Sequence, residues 1–117
     1  KGKILSTKLN CFFYPLSEAG KIKADCLINT TSVGMHPHRD KSPVKAKALA
    51  GYEYVMDVIY NPLMTKLLVD AEKQGCRILS GLDMFVHQGA EQLRLWTGVE
   101  PPRALMKKVI LKRLVIK

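Results

Sequence analysis

Three short apolar runs, each followed by a helix-forming stretch, constrain this fold more than any other feature. Cys26-Leu27-Ile28 lies between Asp25 and Asn29, Tyr52–Tyr60 ends at Asn61-Pro62, and Cys76-Arg77-Ile78-Leu79 follows Gly75. Runs of this length and residue type read as buried strands. A short helix is expected over Val44–Ala50, closed by Gly51. A second is expected over Leu63–Gln74, with Leu63, Leu67, Leu68 and Ala71 at helical spacing and Gly75 as its stop. A third runs to about Thr97 and Gly98, and Pro101-Pro102 start a fourth. Strands alternating with helices imply a parallel sheet with right-handed crossovers, an α/β architecture. Ligands of such sheets sit beyond the carboxyl ends of the strands. Three loops fall there, Asn29–Met35, Val58–Pro62 and Ser80–Met84, and together they read as one wall of a nucleotide cleft.

The chain has 117 residues and is 47% hydrophobic, enough for the core of one domain. Its apolar runs fall short of the roughly 18–20 residues that cross a membrane. It opens Lys1-Gly2-Lys3, with no signal-peptide pattern and no initiator methionine, so it is expected to be a piece of something longer. Residues 1–24 give no clear periodicity beyond an apolar burst, Cys11–Tyr14, that stops at Pro15. Residues 36–45 read as an exposed connection. Cys11, Cys26 and Cys76 form no Cys-x-x-Cys pair and are expected to be reduced, mostly buried thiols. His36 and His38 lack carboxylate or thiol partners and read as solvated loop residues, so no metal is expected.

The net charge of +9 raises the question of nucleic acid. Its distribution argues against that partner. Lys1, Lys3 and Lys8 gather at one end, and Lys107, Lys108, Lys112, Arg113 and Lys117 at the other. The second group interleaves with Leu105, Met106, Val109, Ile110 and Leu114, an amphipathic helix with no aromatic residues to stack on bases.

Residues 81–97 form an unusual helix. Leu82, Phe85, Val86, Gly89, Leu93 and Trp96 make an apolar stripe expected to pack on the sheet. Beside it runs a second line, Gly81, Met84, Gln88 and Gln92, whose uncharged amides suit the gripping of hydroxyl groups. Ser80 and Asp83 have the spacing of a capping box.

At this point the residues resemble a known family. Asp25-Cys26-Leu27-Ile28-Asn29-Thr30-Thr31-Ser32-Val33-Gly34-Met35 resembles the D-x-x-I-N-[AT]-T-x-x-G-M segment of shikimate dehydrogenases. Asp57–Thr65 is similar to that family's D-x-x-Y-x-P-x-x-T segment. Gly81–Gln88, with Gln92 and the trailing Leu95-Trp96-Thr97-Gly98, is similar to its G-L-x-M-[LF]-x-x-Q helix. The Glu91-Gln92 pair and Pro101–Leu105 most resemble the dehydrogenase half of plant-type bifunctional dehydroquinate dehydratase–shikimate dehydrogenases.

The resemblance implies the C-terminal half of a Rossmann-like NADP-binding domain over residues 1–80. Residues 81–117 would then be a helical segment that returns toward a substrate domain and carries substrate-binding glutamines. It implies NADP as cofactor and shikimate or 3-dehydroshikimate as substrate, in chorismate and aromatic amino-acid biosynthesis, in the cytoplasm or a plastid. Tyr60, Gln88 and Gln92 would bind the substrate. Met35, Val58, Gly81 and Met84 would line the nicotinamide end of the cofactor, with Thr30 or Thr31 near its ribose. The family's proton-transferring Lys–Asp pair, its glycine-rich phosphate loop and its 2′-phosphate-binding stretch have no counterpart in these residues. The chain alone is therefore expected to be inactive, with no catalytic residue of its own and with exposed apolar surface. A quinate dehydrogenase fragment and a non-catalytic basic interaction module are the alternative readings.

Overall fold

The computed structural model describes residues 1–115; Lys117, counted in the basic C-terminal cluster, lies outside the described residues. Three strands, β1 (Cys26–Asn29), β2 (Tyr54–Asp57) and β3 (Arg77–Leu79), form one sheet in the order β1-β2-β3. Both pairings are parallel, as the alternation of strands and helices requires. The register sets Leu27, Val55 and Ile78 in one row and Ile28, Met56 and Leu79 in the next. Successive side chains of a strand point to opposite faces, so these rows belong to different faces.

Leu27, Val55 and Ile78 face the core. Helix α2 (Lys66–Lys73) supplies Leu67, Leu68 and Ala71, all fully buried, and 3₁₀ turns at Leu16–Lys21 and Ala46–Gly51 add Ala19 and Leu49. The expected helix at Leu63–Gln74 begins later than its apolar spacing suggested, because Thr65 caps it. The Thr65 hydroxyl accepts from the Leu68 N–H at 3.3 Å while its own backbone stays extended. The helix at Val44–Ala50 is a 3₁₀ turn, Ala46–Gly51. The expected strand Tyr52–Tyr60 pairs over Tyr54–Asp57 alone. Tyr52 turns into the core and donates to the Ala19 carbonyl at 2.7 Å. Beyond Asp57, the Ile59 N–H leaves the ladder for the Asp57 carboxylate, at 3.0 Å.

Helix α3 (Gly81–Thr97) ends where expected, at Gly98 with φ 71°, a left-handed C-cap that glycine adopts without strain. Its start differs from expectation. Ser80 is the N-cap but its side chain makes no capping bond, and Asp83 instead pairs with Lys107 of α4 (Arg103–Val115) at 2.5 Å. The apolar stripe is also only half correct. Leu82 and Val86 are buried, whereas Leu93 is 39% and Trp96 78% exposed. Past its first turns α3 packs on α4 rather than on the sheet. On α4, Met106, Ile110 and Leu114 are half-buried, but Leu105 and Val109 stay exposed, so its apolar face is only partly used.

Two further expectations need correction. Only Cys76 is buried, donating to the Leu49 carbonyl at 3.3 Å, while Cys11 and Cys26 are exposed. Residues 1–24 include a helix that the sequence pattern did not reveal, α1 (Gly2–Leu9), which buries none of its residues. Among the described residues no helix is long and apolar enough to cross a membrane.

Candidate functional site

The carboxyl ends of β1 and β2 are held by a buried polar network. Asn29 and Asp57, opposite one another in register, are 4% and 0% exposed. One oxygen of Asp57 accepts from the Asn29 amide at 3.1 Å and from the Ile59 N–H at 3.0 Å; the other accepts from the Thr65 hydroxyl at 2.7 Å. Asn29 also donates to the Val33 carbonyl at 3.3 Å, and its oxygen accepts from the Thr31 N–H and hydroxyl at 3.0 and 2.7 Å. A buried carboxylate is tolerable only with this number of donors. Through them the loops after β1 and β2 and the start of α2 are fixed to one another.

Above this network the two loops enclose an open groove of about 510 Å³ lined by Thr31, Ser32, Met35, His36, Val58, Ile59, Tyr60 and Asn61. Four sequence-predicted residues, Thr31, Met35, Val58 and Tyr60, thus share one groove. Thr31 also has a local task, because its hydroxyl donates to Asn29 and accepts from the Val33 N–H at 3.2 Å.

Gly81 sets the start of α3 against the loop after β2. Its N–H donates to the Ile59 carbonyl at 3.3 Å, and a Cβ placed on it would stand 2.2 Å from the Val58 carbonyl oxygen. No side chain fits there, so glycine is needed for α3 to begin against the β2 loop. One turn further on, Phe85 stacks on Tyr60, with centroids 4.3 Å apart and planes inclined by 18°. Met84 is 40% exposed, and Gln88 and Gln92 are exposed along the same helix. The four candidates on α3, Gly81, Met84, Gln88 and Gln92, are not among the groove-lining residues. Further along, Arg94 pairs with Glu91, and its guanidinium holds that carboxyl below the usual range.

Sequence reasoning missed Asn29, Asp57, Thr65 and the Phe85 partnership with Tyr60. The signal for the first two was present, a polar residue closing each of two apolar runs at matching positions. Among the described residues, no three His, Cys, Asp or Glu side chains converge as a metal site would require.

The chain as a whole is similar to known proteins. Residues 81–111 match the family described as the shikimate 5′-dehydrogenase C-terminal domain. A shikimate dehydrogenase (NADP(+)) of Methanosarcina mazei is 54% identical over 91 residues, which are 78% of this chain and 32% of that protein. A chorismate mutase/shikimate 5-dehydrogenase fusion protein from Clostridium acetobutylicum superimposes with a TM-score of 0.86 at 27% identity, over 96% of this chain and 42% of its own. The shikimate 5-dehydrogenase of Thermus thermophilus, solved with NADP(H) and shikimate, gives 0.79 at 32% identity, over 91% of this chain and 40% of its own. This chain therefore spans about a third of the length of the sequence relative it matches (32%). The α/β fold with its parallel sheet is that of these solved structures, and the chain belongs to the shikimate dehydrogenase family.

Proposed function

We propose that the chain supplies the nicotinamide-facing wall and part of the substrate site of an NADP-dependent shikimate dehydrogenase, which interconverts shikimate and 3-dehydroshikimate. The observation that carries this reading is the meeting of Thr31, Met35, Val58 and Tyr60 in one groove, with Gly81 pressed against the Val58 carbonyl. A nicotinamide ring needs a flat apolar wall and a close, side-chain-free backbone. Met35 and Val58 give the groove apolar surface and Thr31, Ser32 and Tyr60 give it hydroxyl groups, so the residues fit the group, while Gly81 lets α3 begin against the Val58 carbonyl beside it. When bound, NADP supplies the hydride acceptor for shikimate oxidation.

The chain's own residues bind and orient. The Tyr60 hydroxyl at the groove and the Gln88 amide offer uncharged hydrogen-bonding groups to a polyol acid, with Gln92 contributing from farther along α3. Oxidation of the alcohol releases the hydroxyl proton as hydride leaves carbon, and the Lys–Asp pair to which the family resemblance assigns that proton has no counterpart among these residues. That task would fall outside the 117 residues. The division then lies at 80/81, with residues 1–80 as the partial NADP-binding domain and 81–117 as the helical segment carrying the substrate-binding glutamines, and the site straddles it through Tyr60 on one side and Gly81 and Met84 on the other.

The test is reconstitution. The chain should not form NADPH from NADP⁺ and shikimate by itself, and should do so when mixed with the segment of the Methanosarcina mazei relative that precedes the matched stretch. Absence of the general acid–base pair alone accounts for a loss of about 10²–10⁴-fold. Turnover by the chain alone, or none in the mixture, would refute the proposal.

A further inference from the structure

We infer that Phe85 is the positioning residue for Tyr60, holding its hydroxyl at the mouth of the groove, an inference that rests on the substrate-binding role proposed for Tyr60. Phe85 stands four residues after Gly81, so both lie on the helix face turned toward the β2 loop. The two contacts they make are complementary. Gly81 brings the backbone of α3 against Val58 and Ile59, and the Phe85 ring then covers Tyr60 at 4.3 Å with an 18° inclination. Tyr60 is only half-buried, and its hydroxyl has no hydrogen bond to another described side chain. Its ring is therefore oriented by stacking rather than by a polar partner. The backbone beneath it is fixed by the Ile59 N–H bond to Asp57, which leaves the side-chain torsions as the freedom for Phe85 to remove.

This contact also joins the two halves of the site. Met84 and Gln88 flank Phe85 on α3, whereas Tyr60 belongs to the β2 loop, so the stack sets the helix line in register with the loop. A phenylalanine in the apolar stripe thus acts on the ligand side of the helix without touching ligand.

Two measurements test the inference. In nuclear magnetic resonance spectra of the chain, the Tyr60 ring protons should be shifted upfield by the stacked ring. F85A should return them to ordinary tyrosine positions, and F85Y should keep the shift. In the reconstituted mixture, F85A should raise KM for shikimate about two- to tenfold, the worth of an aromatic pair, with little change in kcat. In a Y60F background the same substitution should leave KM unchanged. A residue that only stabilised the fold would lower the active fraction, and so kcat, at constant KM. Should F85A fold poorly, F85L and F85Y carry the same comparison. Unmoved Tyr60 signals in F85A, or an equal KM increase with and without the Tyr60 hydroxyl, would overturn the inference. No turnover by the wild-type mixture would tell against the functional reading, and the ring shifts alone would then decide the positioning.

Discussion

The two faces of the small sheet are made from the same strands and meet different surroundings. On one, Val55 is fully buried between Leu27 and Ile78, under Leu67 and Leu68 of α2. On the other, Ile28 is 55% and Leu79 48% exposed, with Met56 half-buried between them. A sheet with a solvent face ordinarily alternates apolar and polar residues. These strands do not alternate, which is the composition of a parallel sheet meant to be covered on both sides. The covered face carries the stability of this chain and, through Asn29 and Asp57 at its carboxyl end, the geometry of the groove. The open face carries little of either.

Substitutions should separate the faces cleanly. Leu67→Ala, in the closed core, should cost about 2–5 kcal/mol by urea unfolding. Next is Asp57→Ala, which strands the Asn29 amide, the Ile59 N–H and the Thr65 hydroxyl. A loss of about 2–3 kcal/mol is expected, with the loop resonances of residues 30–35 and 58–62 displaced together. A smaller effect on the same face should appear at alkaline pH. Burial raises the Tyr52 pKa above its ordinary 10.0, so the neutral phenol is favoured in the folded chain. Stability should be constant below that value and decline as pH rises from it toward the folded-state pKa. Tyr52→Phe should remove this alkaline slope. Leu79→Ala, on the open face, should change stability by no more than about 0.5 kcal/mol. A cost equal to that of Leu67→Ala would show the open face to be closed in solution.

The same contrast explains what the sequence could disclose. The order of strands and helices was legible because it rests on local periodicity and on punctuation by Gly75, Gly98 and Pro101-Pro102. The identity of the covered face was not, since Ile28 and Leu79 are as apolar as Leu27 and Ile78. At the site, Met35, Val58, Tyr60 and Gly81 were marked by their motifs. The Asn29–Asp57 bond joins residues 28 apart, and the Tyr60–Phe85 stack joins a loop to a helix, so neither leaves a local pattern. Trp96 and Leu93 misled for the opposite reason. They continue the helical stripe faithfully, but the partner of α3 is α4 rather than the sheet, and neither residue is covered.

The groove between the β1 and β2 loops, with Gly81 at the start of α3 beside it, is proposed to be the nicotinamide-facing half of a dehydrogenase site. Titration of the isotopically labelled chain with NADP⁺ tests it most directly. The account predicts resonance changes centred on Thr31, Met35, Val58, Gly81 and Met84 and abolished by Gly81→Val. Changes confined instead to the lysines of α4, or unaltered by Gly81→Val, would contradict it.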